Sequence, residues 1–98
     1  MDKNGYASSI LQDKQECYFS KQTNCDLARH EIYFGKNRQT SKKQGFWVYL
    51  TPEWHNATNY SVHNNIKTDL ILKQDCQRKF EETHTRDEFI KLIGRNYL

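Results

Sequence analysis

Apolar residues in this chain fall in short clusters, and their spacing changes from one cluster to the next. Residues 27–34, LARHEIYF, mix β-branched and aromatic side chains and stop at Gly35, which predicts a strand closed by a turn. The run FWVYL at 46–50 is too short for a helix and predicts a buried strand. Between them, residues 35–45 (GKNRQTSKKQG) are polar, basic and bounded by glycines, the composition of an exposed loop. Thr51-Pro52-Glu53 then signals a helix start: Thr caps, Pro suits the first turn, and Glu suits the positive end of the dipole. That helix is short, because Asn56, Thr58, Asn59, Tyr60 and Ser61 form helices poorly. A longer helix is predicted over 65–82, with Ile66, Leu70, Cys76 and Phe80 at largely helical spacing and Leu72 four residues before Cys76. Thr85-Arg86-Asp87-Glu88 forms a capping box that opens a last helix, with Phe89, Ile90, Leu92 and Ile93 as its apolar side and Gly94 at its end.

Residues 1–14 show no sustained periodicity and hold one apolar pair, Ile10-Leu11, so they are expected to be a flexible or loosely docked arm. With 98 residues, a single domain spanning 1–98 is expected, since two halves could not each bury a core. Only 36% of residues are hydrophobic, so the core is small, aromatic, and a good candidate for a metal staple. A formal charge of +3 is compatible with nucleic acid or an acidic protein surface and decides between neither. No run of eighteen apolar residues and no basic-then-apolar leader are present, which predicts a soluble, intracellular protein without a membrane role. Three cysteines, Cys17, Cys25 and Cys76, favour free thiols or metal ligands over a disulfide framework. No small-molecule substrate is evident.

The order of elements carries the chemistry. A strand with a histidine, a basic connection, an apolar strand and a helix with a histidine is a layout that holds one divalent metal between a hairpin and a helix. His30, His55 and His63 are the candidate ligands, whereas His84 sits at a polar helix junction. His55 and His63 would lie about 12 Å apart on one continuous helix, so they share a metal only if the helix stops near Asn59. Asn59 is a candidate weaker ligand or orienting residue, and Cys25 either a soft ligand or a plain thiol. Zinc is the expected ion, because three imidazoles and an open position suit it; nickel and manganese stay open. Lys36, Arg38, Lys42 and Lys43 are a candidate surface for phosphates or a protein partner, or ordinary solvated charge.

The segments HEIYFGKNR at 30–38, SKKQGFWVYLTPEWHN at 41–56, VHNN at 62–65 and the carboxy-terminal CQRKFEETHTRDEFIKLIGRNYL together resemble the HNH endonuclease-like proteins of bacteriophages and prophages. The resemblance covers residues 17–98 and implies an α+β fold: a small ββα-metal core of β-hairpin and short helix, followed by two C-terminal helices. It makes His30 a metal ligand and puts Glu31 where the family has its general-base histidine. A carboxylate with a reference pKa near 4.3 is the weaker base there. The family's structural zinc knuckle maps onto Cys17, Ser20, Thr51 and Trp54, so three of its four ligands are absent, and Phe19 and Trp54 are expected to fill the space. Neither Gly45 nor Phe46 supplies the asparagine usual at the centre of the HNH motif. These departures imply weakened or lost cleavage, and with the size and resemblance they suggest a phage protein acting by binding in the phage–host conflict. An anti-CRISPR inhibitor of a type II RNA-guided nuclease, a host defence nuclease in the bacterial cytoplasm, is one such role. The alternatives are an active metal-dependent HNH DNA endonuclease and a phage DNA-binding or packaging accessory factor.

Overall fold

The computed structural model describes residues 1–98. Its first regular element is strand β1 (Ala28–Glu31), shorter than the predicted run. A 3-10 turn (Gly35–Asn37) follows and leads into helix α1 (Arg38–Gln44), where the sequence predicts only loop. Arg, Gln and Lys are good helix formers, and the segment reads as loop only because nothing apolar marks an inner face. One small residue does that job. Ser41 is fully buried, and its Oγ donates to Tyr33 O at 2.6 Å and accepts from Tyr33 N at 3.2 Å, fastening α1 to the end of the strand. Gly45 ends α1 at φ 76°, a left-handed conformation.

Strand β2 (Trp47–Leu50) pairs antiparallel with β1, Ala28 opposite Leu50 and Glu31 opposite Trp47. Alternation then sorts the side chains. His30, Val48 and Leu50 face the core, whereas Arg29, Glu31, Trp47 and Tyr49 belong to the opposite face. Helix α2 (Pro52–His55) is a single turn, and after it Val62 N donates to Trp54 O at 2.8 Å and His63 N to His55 O at 3.2 Å, so the chain doubles back on itself. Helix α3 (Ile66–Phe80) is capped by Asn65, whose side chain accepts from Lys67 N and Thr68 N. Helix α4 (Arg86–Ile93) carries the complete capping box of Thr85 and Glu88 and closes at Gly94.

The fold is thus α+β, a two-stranded antiparallel sheet with several helices. The core gathers Ile32, Tyr33, Phe46, Val48, Leu50 and Val62 with Leu72, Cys76 and Phe80 of α3 and Phe89 and Ile93 of α4. The inner face of α3 follows Thr68, Leu72, Cys76 and Phe80, each four residues apart. Ile66 and Leu70 are offset by two residues, about half a turn, and are 83% and 40% exposed, on the outer side rather than in the predicted apolar face.

The amino-terminal segment lies along the sheet. Ala7 N donates to Lys42 O and Ile10 N to Gly45 O, while Trp47 Nε1 donates to Ala7 O and Ser9 Oγ to Trp47 O. Arg29 pairs with Asp2 at 2.6 Å and sits 4.4 Å from the Tyr6 ring and 4.8 Å from the Trp47 ring. No helix is long and apolar enough to cross a membrane.

Candidate metal centre

His30, His55 and His63 come together, with one ring nitrogen of each within 4.8 Å of the others. Three different local structures deliver them. His30 is on the core face of β1, placed there by strand alternation opposite Val48. His55 is the last residue of α2, and His63 returns to it through the doubled-back chain. The helix stops even sooner than the neighbourhood of Asn59, and the eight-residue spacing becomes a contact: His55 Nε2 and His63 Nε2 are 3.1 Å apart. The ring centroids of His30 are 5.4 Å from His55 and 5.0 Å from His63.

These residues fit a metal ion. Tetrahedral zinc with nitrogen ligands at 2.0–2.1 Å places the nitrogens about 3.3 Å from one another, so a small contraction of the trio would close around it. His30 Nε2 is buried and has no hydrogen-bond partner, an arrangement that is costly unless something accepts its lone pair or proton. Burial, reinforced by the positive character of His63, His55 and Lys73, pushes the His30 imidazole down to about 3. Burial followed by His63 also lowers His55. Neutral imidazole is the form that donates to a metal. His63 is exposed and His55 half-buried, so the group opens to solvent on their side. The three side chains could hold a metal ion and leave a coordination position free.

Glu31 lies on the other face of the strand. Its Oε1 accepts from Arg38 Nε at 2.8 Å in an ion pair. Burial raises the Glu31 carboxyl, but the hydrogen bonds of Arg38, of its own backbone amide and of Tyr6 outweigh it and leave it below the usual range. Lys36 is in the 3-10 turn, and Arg38, Lys42 and Lys43 are on α1, so the basic residues stand on helical rather than loop backbone. Arg38 is engaged with Glu31, and Lys42 Nζ lies 4.8 Å from the Tyr6 ring.

The four positions matched to a zinc knuckle meet in space without its ligands. Cys17 Sγ is 3.7 Å from Thr51 Oγ1, and Phe19 packs on Trp54 with centroids 4.7 Å apart. Cys25 is exposed and outside the histidine group. Asn59 is exposed, its carbonyl receiving Asn65 Nδ2 at 3.4 Å. His84 stacks on Phe80 at 4.2 Å, apart from the trio. Two neighbours of the site were not singled out from the sequence. Phe34 lies 6.2 Å from His30 and 6.0 Å from His63, and Lys73 Nζ is 4.5 Å from the Phe34 ring. Phe34 follows His30 by four residues, beyond β1 at the start of the 3-10 turn, a weak signal; Lys73 comes from the middle of α3 and has none.

Compared with family models, with curated proteins and with solved structures, the chain matches none of them. The class is defined by the molecule itself: an α+β protein whose hairpin and first short helix bring three histidines together. The functional argument therefore begins from that group.

Proposed function

We propose that this is a zinc-binding, HNH-like phage or prophage protein whose nuclease chemistry is weakened or lost. It works by binding a protein of the bacterial host's defence, such as a type II RNA-guided nuclease, in the host cytoplasm. The observation that carries the metal half is the buried, unpartnered Nε2 of His30 beside two further imidazoles. Three nitrogen donors with a free position suit zinc. Support for reduced cleavage comes from the base position. The Glu31 carboxylate is committed to Arg38 and held in its ionised, weakly basic form, a poor starting point for activating water. When bound, the metal supplies Lewis acidity; the chain's own part is to hold three neutral rings in place and keep water from the His30 side.

Elemental content and cleavage test both halves. Purified protein is expected to carry close to one zinc per chain, lost on chelation or in His30→Ala, and to leave plasmid and single-stranded DNA intact with magnesium, manganese or zinc. A metal-free chain indifferent to chelator overturns the metal centre. Metal-dependent nicking abolished by His30→Ala would instead make the protein an active HNH endonuclease.

A further inference from the structure

We propose that the open side of the three-histidine group receives a carboxylate carried on an apolar protein surface, seated on a rim made by Phe34, Ile66 and Leu70. The inference rests on the metal centre proposed above and names what meets it.

The rim is anomalous for so polar a chain. Mean hydropathy is −1.02, yet Ile66, Leu70 and Phe34 are 83%, 40% and 47% exposed, with Ile71 on the flank at 48%. Clustered exposed aliphatic surface marks an interaction site more often than chance. Helical spacing connects it to the histidines. Ile66, Leu70 and Lys73 fall on one stripe of α3, Lys73 covers the Phe34 ring at 4.5 Å, and Phe34 lies against His63 and His30. His63 itself immediately precedes the Asn64-Asn65 cap of that helix. The apolar patch and the open coordination side are thus neighbours.

Charge selects the occupant. Three neutral imidazoles leave a divalent ion its whole charge, and Lys73 adds positive potential at His30. Asp69, the carboxylate nearest Lys73, is consumed in a 2.7 Å pair with it, and Lys67 on the exposed side has no ion-pair partner. A bound divalent ion outweighs the single Glu31 carboxylate whose charge reaches His55, so the loaded opening takes an anion. A second copy of the chain, also positively charged and bringing the same Lys67, is disfavoured by like charge. A nucleic-acid backbone wants a basic groove, whereas here the exposed ring of Phe34 flanks the opening; an interface with an apolar centre and one carboxylate matches it.

The cobalt(II)-loaded protein tests this through its visible absorption, which responds to what enters the coordination sphere. The probes are acetate, the blocked tripeptide acetyl-Leu-Asp-Leu-amide, and a thymidine dinucleotide. The tripeptide is expected to shift the spectrum at about tenfold lower concentration than acetate, the gain that covering rim carbon should give. Ile66→Ser with Leu70→Ser should erase that tenfold while leaving the response to acetate unchanged; both residues are exposed, so the fold should survive. Equal tripeptide response in parent and double variant overturns the proposal, as does a dinucleotide that acts at lower concentration than the tripeptide. So does a dimer in light scattering that Leu70→Ser dissolves. Loaded protein lacking the carboxylate preference defeats this inference alone; a chain that binds no cobalt defeats the metal centre as well.

Discussion

Replacing His30 by leucine separates two effects of one side chain. Without metal, the imidazole buries a nitrogen that nothing satisfies, at a cost on the order of 1–3 kcal/mol, while the rest of the ring fills core space beside Val48. Leucine keeps most of the volume and removes the unpaired atom, so in chelator His30→Leu should melt at or above the parent's temperature. With excess zinc the order should reverse. The parent gains stability that grows with the logarithm of free metal over its dissociation constant, and the variant gains almost none. Thermal melts in chelator and in graded zinc read both effects. A variant strongly destabilised in chelator would mean that His30 serves packing and nothing else.

At the level of elements, helix α4 is held at its start by charge. Glu88 Oε1 accepts from Thr85 N at 3.0 Å, and that bond lowers the Glu88 carboxyl; Arg86 and then Gln77 lower Glu81 in the same corner. Both groups hold fewer protons in the folded than in the unfolded chain. Their contribution is complete above the ordinary glutamate value of about 4.3 and fades as pH falls below it. Circular dichroism should therefore show helix loosening in that acid range, and Glu88→Gln should flatten the response; an acid profile identical in parent and variant would refute the assignment. This capping box is also the element most legible from sequence, because its residues are adjacent and their roles local. The hairpin was legible for the same reason, and so were His30, His55 and His63 as candidates for one group. Helix α1 was not, since its single inward residue, Ser41, acts through hydrogen bonds to Tyr33 rather than apolar burial. Nor was the outward face of α3, because Ile66 and Leu70 obey helical spacing as well as the core residues do and only packing chooses between two faces.

For the molecule as a whole, the amino-terminal segment is the contact that local sequence signals could least reveal. It is held by residues far along the chain: Arg29 through Asp2 and the rings of Tyr6 and Trp47, and Gly45 both through its carbonyl, which accepts from Ile10 N, and through space, since a Cβ there would stand 2.0 Å from Ser8 O. Arg29→Ala and Gly45→Ala should release it by different routes. Each is expected to speed hydrogen exchange at the Ala7 and Ile10 amides severalfold and to expose Trp47, shifting its emission to the red. Unchanged protection in both would show the segment to be held by something else. The histidine group has a different long-range character. Two of its rings are tied together by chain that doubles back within a few residues, while the third belongs to strand β1, separated from α2 in the chain by a 3-10 turn, helix α1 and strand β2. An ion arriving from solvent would meet exposed His63 and half-buried His55 before the buried ring of His30. On the proposed metal centre, capture and locking should then be separate events in time: His63 and His55 would govern how fast metal is taken up, and His30 how long it stays.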